Sequence, residues 1–224
     1  MQLVLSISFY RFGCMLASTA PVLGEFSLLT LCFTPLYCAA LELKKIPYER
    51  EDVDLRNLPA DFVRLNPRKQ VPVVVIDGKT FSQSLAILEH LEERWSDKPL
   101  LPSDPVQRTQ AREIANAIIS GIQPLQNGGG PLPKLLEENL TGMTALEWNK
   151  FWVNHGFTAL EQNLGSTAGK YCVGDEVSFA DLCLVPQYIN ARDRFKMDVS
   201  KYPTIQKIAE HCLSTEPFKS VCKV

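Results

Sequence analysis

Seven cysteines, three histidines and a few polar residues next to prolines carry most of the chemistry open to this 224-residue chain. The cysteines (Cys14, Cys32, Cys38, Cys172, Cys183, Cys212 and Cys222) are odd in number, irregular in spacing and contain no Cys-x-x-Cys. That pattern speaks against a disulfide framework and for a reducing compartment. His90, His155 and His211 share no zinc-ligand spacing with a cysteine, so no metal is expected. Two other places are more promising. Pro72 lies just inside a β-branched run, where proline forfeits a ladder hydrogen bond, and this points to a special backbone geometry such as a cis peptide. Gln83 and Ser84 open a helix whose unpaired N–H groups and dipole suit an anion.

The elements that must position these residues are legible along the chain. Residues 3–10 are apolar and β-prone, and read as a strand. Residues 39–45 read as a helix stopped by Pro47, and 48–55 as a second strand. Residues 71–76 form a third strand. Asp77-Gly78 is the strongest hairpin signal in the chain, and 79–81 begin the returning strand. Residues 84–95 read as a helix with Leu85, Leu88, Leu91 and Trp95 on one face. The order β-α-β, ββ hairpin, helix is that of a thioredoxin-like domain, expected over residues 1–99. After a linker, Asp104 caps a helix with Pro105 in its first turn, running to about 122. Thr144-x-x-Glu147 and Ser178-x-x-Asp181 are capping boxes that open two more helices, and Pro203 starts the last. Residues 106–224 are therefore expected to be all-helical, giving an α/β thioredoxin-like domain followed by an all-α domain.

Composition narrows the function. A net charge of −2 argues against a nucleic-acid partner. Residues 1–41 hold only two charged side chains, Arg11 and Glu25. Even so, the start lacks the basic residues of a signal peptide, and the apolar stretch 26–41 is shorter than the ~20 residues that span a bilayer. No membrane association is expected, and a cytoplasmic location fits.

The run NPRKQVPVVVIDGKTFSQSLAILEHLEE at 66–93 resembles the glutathione-binding half of cytosolic glutathione transferases. GIQPLQN at 121–127 and YCVGDEVSFADLCLVPQ at 171–187 look specifically like the zeta class, the maleylacetoacetate isomerase family. The resemblance covers about 39–218 and implies glutathione as cofactor. Val71, before Pro72, would pair its backbone with the extended tripeptide. Gln83 and Ser84 would hold the γ-glutamyl carboxylate, although a plain helix cap uses the same geometry. Gln123 and Asn127 resemble residues that reach toward glutathione; the alternative is an ordinary polar helix face. Arg194 matches an arginine expected to hold the substrate carboxylates by bidentate pairing, with Arg192 a near alternative. Ser178 and Asp181 resemble a structural capping box.

One element departs from the family. Zeta enzymes carry Ser-Ser-Cys after the first strand, where hydroxyls and a helix N-terminus favour the glutathione thiolate. Here Phe12-Gly13-Cys14 follows the strand, and an apolar insert near 15–33 precedes the first helix. Connections of 2–6 residues are the norm there. The insert reads as an unusual active-site element, a gene-model artefact, or a prelude to Cys32 and Thr34, which by residue counting lie where the Ser/Cys element belongs. Cys14, Cys32 and Thr34 are all candidates for the place beside the glutathione sulfur.

The activity implied is glutathione-dependent cis–trans isomerisation of maleylacetoacetate to fumarylacetoacetate by a homodimer acting on a small dicarboxylic acid. A general glutathione transferase or secondary-pathway isomerase, and a catalytically impaired glutathione-binding protein, are the alternatives.

Overall fold

A computed structural model describes residues 3–8, 34–53, 57–126, 138 and 142–222. The chain divides into two compact units, one of residues 1–98 with 223–224, the other of residues 99–222. Cys14, Cys32, Asn127 and the insert near 15–33 lie outside the described residues.

The first unit is a four-stranded sheet in the order β2-β1-β3-β4, with helices. Strand β1 (Leu3–Ser8) runs parallel to β2 (Glu49–Val53) and antiparallel to β3 (Val73–Ile76), which pairs antiparallel with β4 (Lys79–Ser82). The parallel pair is joined through helix α1 (Thr34–Lys44), since parallel strands need a crossover connection. The β3–β4 turn is tight because Asp77 and Gly78 both adopt positive φ, 50° and 74°, as a two-residue hairpin loop requires. Helix α1 buries Leu36, Tyr37, Ala39, Ala40 and Leu41. Helix α3 (Ser84–Arg94) buries Ile87, Leu88 and Leu91. Helix α2 (Ala60–Leu65) contributes Phe62, which with Val53 and Val73 forms a fully buried cluster.

Several boundaries differ from the sequence expectation. The first helix starts at Thr34 rather than near 39, because Pro35 in the first turn is compatible with a helix and need not end one. Helix α2 was not expected: six residues are too few to display a clear period.

The second unit is all-helical. Asp104 caps α4 (Pro105–Asn116), its Oδ1 accepting from Gln107 N at 2.9 Å. The expected single helix to 122 instead passes into a π-helical turn, Ala117–Ile122, and then a short α5 (Gln123–Gln126). Helix α6 (Ala145–Thr167) opens with the expected capping box: Thr144 Oγ1 accepts from Glu147 N at 3.3 Å, and Glu147 Oε2 accepts from Thr144 N at 2.8 Å. Gly156 lets α6 approach the π turn closely, since a Cβ there would lie 2.4 Å from Ile122 Cδ1. Helix α7 (Phe179–Ile189) is buried on every side and ends in a second π turn, Asn190–Arg194. Glu161 of α6 accepts from Thr204 N and Ile205 N at 2.7 and 2.9 Å, satisfying the first turn of α8 (Pro203–Ser214) from a distance. A short α9 (Phe218–Val221) follows, which was also not expected from the sequence.

Candidate functional site

In the first unit the strand register gathers the residues picked out by sequence. Val73 pairs with Ser82, so Val71-Pro72 and Gln83-Ser84 leave the β3–β4 ladder at the same end. Ser6 pairs with Val73, so carrying that register two residues further sets Ser8, the last residue of β1, level with Val71. One end of the sheet thus carries Val71, Gln83, Ser84 and the C-terminus of β1.

Each of these is held in a particular way. The Val71–Pro72 peptide is cis. The Val71 side chain packs on the Val53–Phe62–Val73 cluster, while its backbone lies beyond the last paired residue of β3. The side chain anchors the residue, and its main chain stands at the open end of the ladder. The loop before it is set by Asn66, which is buried. Asn66 Nδ2 donates to Gln70 O at 2.6 Å, its Oδ1 accepts from Arg68 N at 3.2 Å, and Lys69 turns through φ 56°. Asn66 reads in sequence only as a turn residue.

Gln83 adopts φ 75°, ψ 121° and is the N-terminal flanking residue of α3, yet its side chain makes no cap hydrogen bond. A non-glycine residue at such φ costs about 1–3 kcal/mol and persists where its surroundings impose it. The first-turn N–H groups of α3 therefore receive no cap from Gln83, and the half-buried Ser84 stands beside them. That arrangement suits a carboxylate.

Thr34 is the first residue of α1, so the helix N-terminus falls at Thr34-Pro35. Of the three candidates for the place beside the sulfur, it alone lies among the described residues.

Among the described residues, the second unit places Gln123 and Arg194 at its two π turns. Half-buried Gln123 follows the first turn directly. Arg194 closes the second, its guanidinium 4.9 Å from the centre of the Phe195 ring. Arg192 is committed elsewhere: its Nε and Nη2 donate to Asp193 Oδ1 and Oδ2 at 2.8 and 2.7 Å, and the group lies over Tyr188. The Asp193 hydrogen bonds push the Arg192 pKa further up. π turns recur at functional sites but leave no periodic signal to be read from sequence.

Cys38, Cys172, Cys183, Cys212 and Cys222 are buried thiols. Burial pushes Cys172, Cys183 and Cys212 up, and the neighbouring Asp181 carboxylate adds to the effect. They are packing residues rather than nucleophiles. Asp181 is itself fully buried, accepting from Ser178 N and Oγ at 2.8 and 2.9 Å and from Cys172 N at 2.7 Å. Burial raises its pKa against the pull of those bonds. Among the described residues no cluster of His, Cys, Asp or Glu could hold a metal, and no helix is long and apolar enough to cross a membrane. A cavity of about 570 Å³ lies between the start of α6 and residues 196–202, and none of the candidate residues lines it.

Family models for the glutathione S-transferase N-terminal and C-terminal domains match residues 39–94 and 145–220. The maleylacetoacetate isomerase of Mus musculus is 49% identical over 185 residues, covering 80% of this chain and 82% of its own. A crystal structure of maleylacetoacetate isomerase from Anaeromyxobacter dehalogenans with bound GSH superposes with a TM-score of 0.77 at 34% identity, covering 98% of this chain and 94% of that one. A zeta-class maleylpyruvate isomerase gives 0.79 at 28% identity, with coverage of 99% and 96%. With a thioredoxin-like unit, a helical unit and both domain models matched, the chain belongs to the glutathione S-transferase family. Within that family it is a member of the zeta-class, maleylacetoacetate isomerase group.

Proposed function

We propose that this chain isomerises maleylacetoacetate to fumarylacetoacetate with glutathione as cofactor. The observation that carries the reading is the convergence of Val71, Gln83 and Ser84 at one end of the sheet in a chain 49% identical to a maleylacetoacetate isomerase. The residues fit the cofactor: an unladdered backbone at Val71 suits an extended peptide, and an uncapped helix start at Ser84 suits its carboxylate. When bound, glutathione supplies a nucleophilic thiol that lets a conjugated cis double bond rotate as a single bond, and it is regenerated.

The protein's part is to bind, orient and stabilise charge. Val71 would align the tripeptide backbone, and Ser84 with the first turn of α3 would fix the γ-glutamyl carboxylate, with Gln83 beside it. Thr34 at the start of α1, or Cys14 or Cys32, would favour the thiolate. Gln123 and Asn127 would contact glutathione from the helical unit. Arg194 would hold the substrate carboxylates, as its match to the family arginine implies, with Arg192 the near alternative. The reading includes a homodimer and a cytosolic location.

The test is turnover of maleylacetoacetate by the purified chain with and without glutathione. Glutathione-dependent formation of the trans product is expected, and Ser84→Ala should weaken retention on immobilised glutathione by about 1.5–3 kcal/mol, the value of a charge-assisted bond. Phe12-Gly13 in place of the serine pair favours one competing reading, an impaired glutathione-binding protein. Retention without turnover would establish that reading instead.

A further inference from the structure

The two zeta-like motifs of the helical unit each contain a glutamine that the proposed chemistry does not use, Gln126 in GIQPLQN and Gln187 at the end of YCVGDEVSFADLCLVPQ. The structure joins them. Gln126 Nε2 donates to Gln187 Oε1 at 2.9 Å, and Gln187 Nε2 donates to Gln126 Oε1 at 2.9 Å. Gln126 is 1% exposed and Gln187 is fully buried. The bonds form a closed amide ring between buried residues 61 apart in sequence.

We propose that this pair is the positioning device that sets Gln123 and Arg194 for cofactor and substrate, an inference that rests on the function proposed above. Gln126 lies three residues after Gln123 on the same short helix, so fixing its side chain fixes the rotation of α5 about its axis. Trp148 Nε1 donates to Leu125 O at 2.7 Å and pins the same helix from α6. Gln187 lies just before the π turn that ends in Arg194. A π turn widens the helix by one residue, so the segments carrying Gln123 and Arg194 are each displaced from regular helical register. A pair of apolar side chains would tolerate a slip between α5 and α7, because such contact is non-directional. The amide ring does not: a shift of either segment breaks both bonds and strands two buried carboxamides.

The experiment compares Gln126→Leu, Gln187→Leu and the double variant in full-length protein, reading melting temperature, kcat, and KM for glutathione and for maleylacetoacetate. Each single change should lower the melting temperature, because one amide is left unpaired. The double change should recover most of that loss, since removing both partners together is nearly neutral. KM for one or both ligands should stay roughly 10-fold or more above wild type in the double variant, the scale of effect that a displacement of about 1 Å can produce. Recovery of both melting temperature and KM would make the pair purely structural and overturn the proposal. Should the double variant fail to fold, Gln187→Asn keeps the polarity but shortens the reach: raised KM in folded Gln187→Asn protein supports positioning, and unchanged KM overturns it. The unmodified chain in the same assay reports on the proposed function itself, so inactive wild-type protein would count against that reading and not against the pair.

Discussion

Lys44 Nζ lies 2.7 Å from Glu92 Oε2, with the lysine side chain wholly buried and the glutamate side chain 12% exposed. The ammonium also donates to Trp95 O at 2.8 Å and Lys98 O at 2.9 Å, so all three of its protons have acceptors. It ties the C-terminus of α1 to that of α3 and to the chain leaving the first unit.

Breaking such a pair from one side leaves its partner stranded. Lys44→Met should destabilise the protein by about 3 kcal/mol, within the range for removing one member of a buried ion pair. The measurement is denaturant unfolding, and a loss below about 1 kcal/mol would mean the pair behaves like an exposed one.

How much of this was legible follows from sequence separation. Asp77-Gly78, Asp104-Pro105, Thr144/Glu147 and Ser178/Asp181 are local patterns whose chemistry acts within three or four residues, and each appears in the structure as sequence implied. Val71, Gln83 and Ser84 lie at one end of the sheet because a short hairpin folds their segments together. Lys44 with Glu92, and Gln126 with Gln187, are 48 and 61 residues apart, and nothing in the sequence couples them. The π turns and the left-handed φ of Gln83 leave no periodic mark, since tertiary packing imposes them.

Gln83 offers a test in which stability and binding part company. Glycine adopts φ 75° without steric cost, while the lost backbone strain of about 1–3 kcal/mol is partly offset by the extra entropy of an unfolded glycine. Gln83→Gly should therefore raise stability by roughly 1 kcal/mol and still weaken retention on immobilised glutathione. A less stable variant with intact retention would show that the conformation serves folding alone.

Acid should act on α6 through Glu147. Hydrogen bonds from Thr144 N and Oγ1 to its carboxylate hold its pKa below the ordinary 4.5. A depressed carboxyl contributes stability above its unfolded pKa, and that contribution is lost as pH falls through the folded value. Wild type should exceed Glu147→Gln in melting temperature at neutral pH, with the gap closing below about pH 4.5. A gap that does not change between pH 7 and pH 3 would sink the assignment.

Asp181 carries more than a helix cap. A capping residue changed to alanine costs about 1 kcal/mol. Here one buried carboxylate receives three donors, two from Ser178 and one from Cys172, so it joins the start of α7 to the loop nine residues before it. Asp181→Ala would leave the Ser178 and Cys172 N–H groups buried without acceptors, at about 1–3 kcal/mol each. Asp181→Asn keeps one acceptor oxygen for Cys172 N but turns a second donor toward Ser178. The expected order of stability is wild type, then Asp181→Asn, then Asp181→Ala, with the alanine variant about 3–5 kcal/mol down. Folded protein of either variant should keep the wild-type KM for glutathione, because Asp181 lies in the capping box rather than among the proposed ligand contacts. Raised KM at unchanged stability would instead place Asp181 in the site.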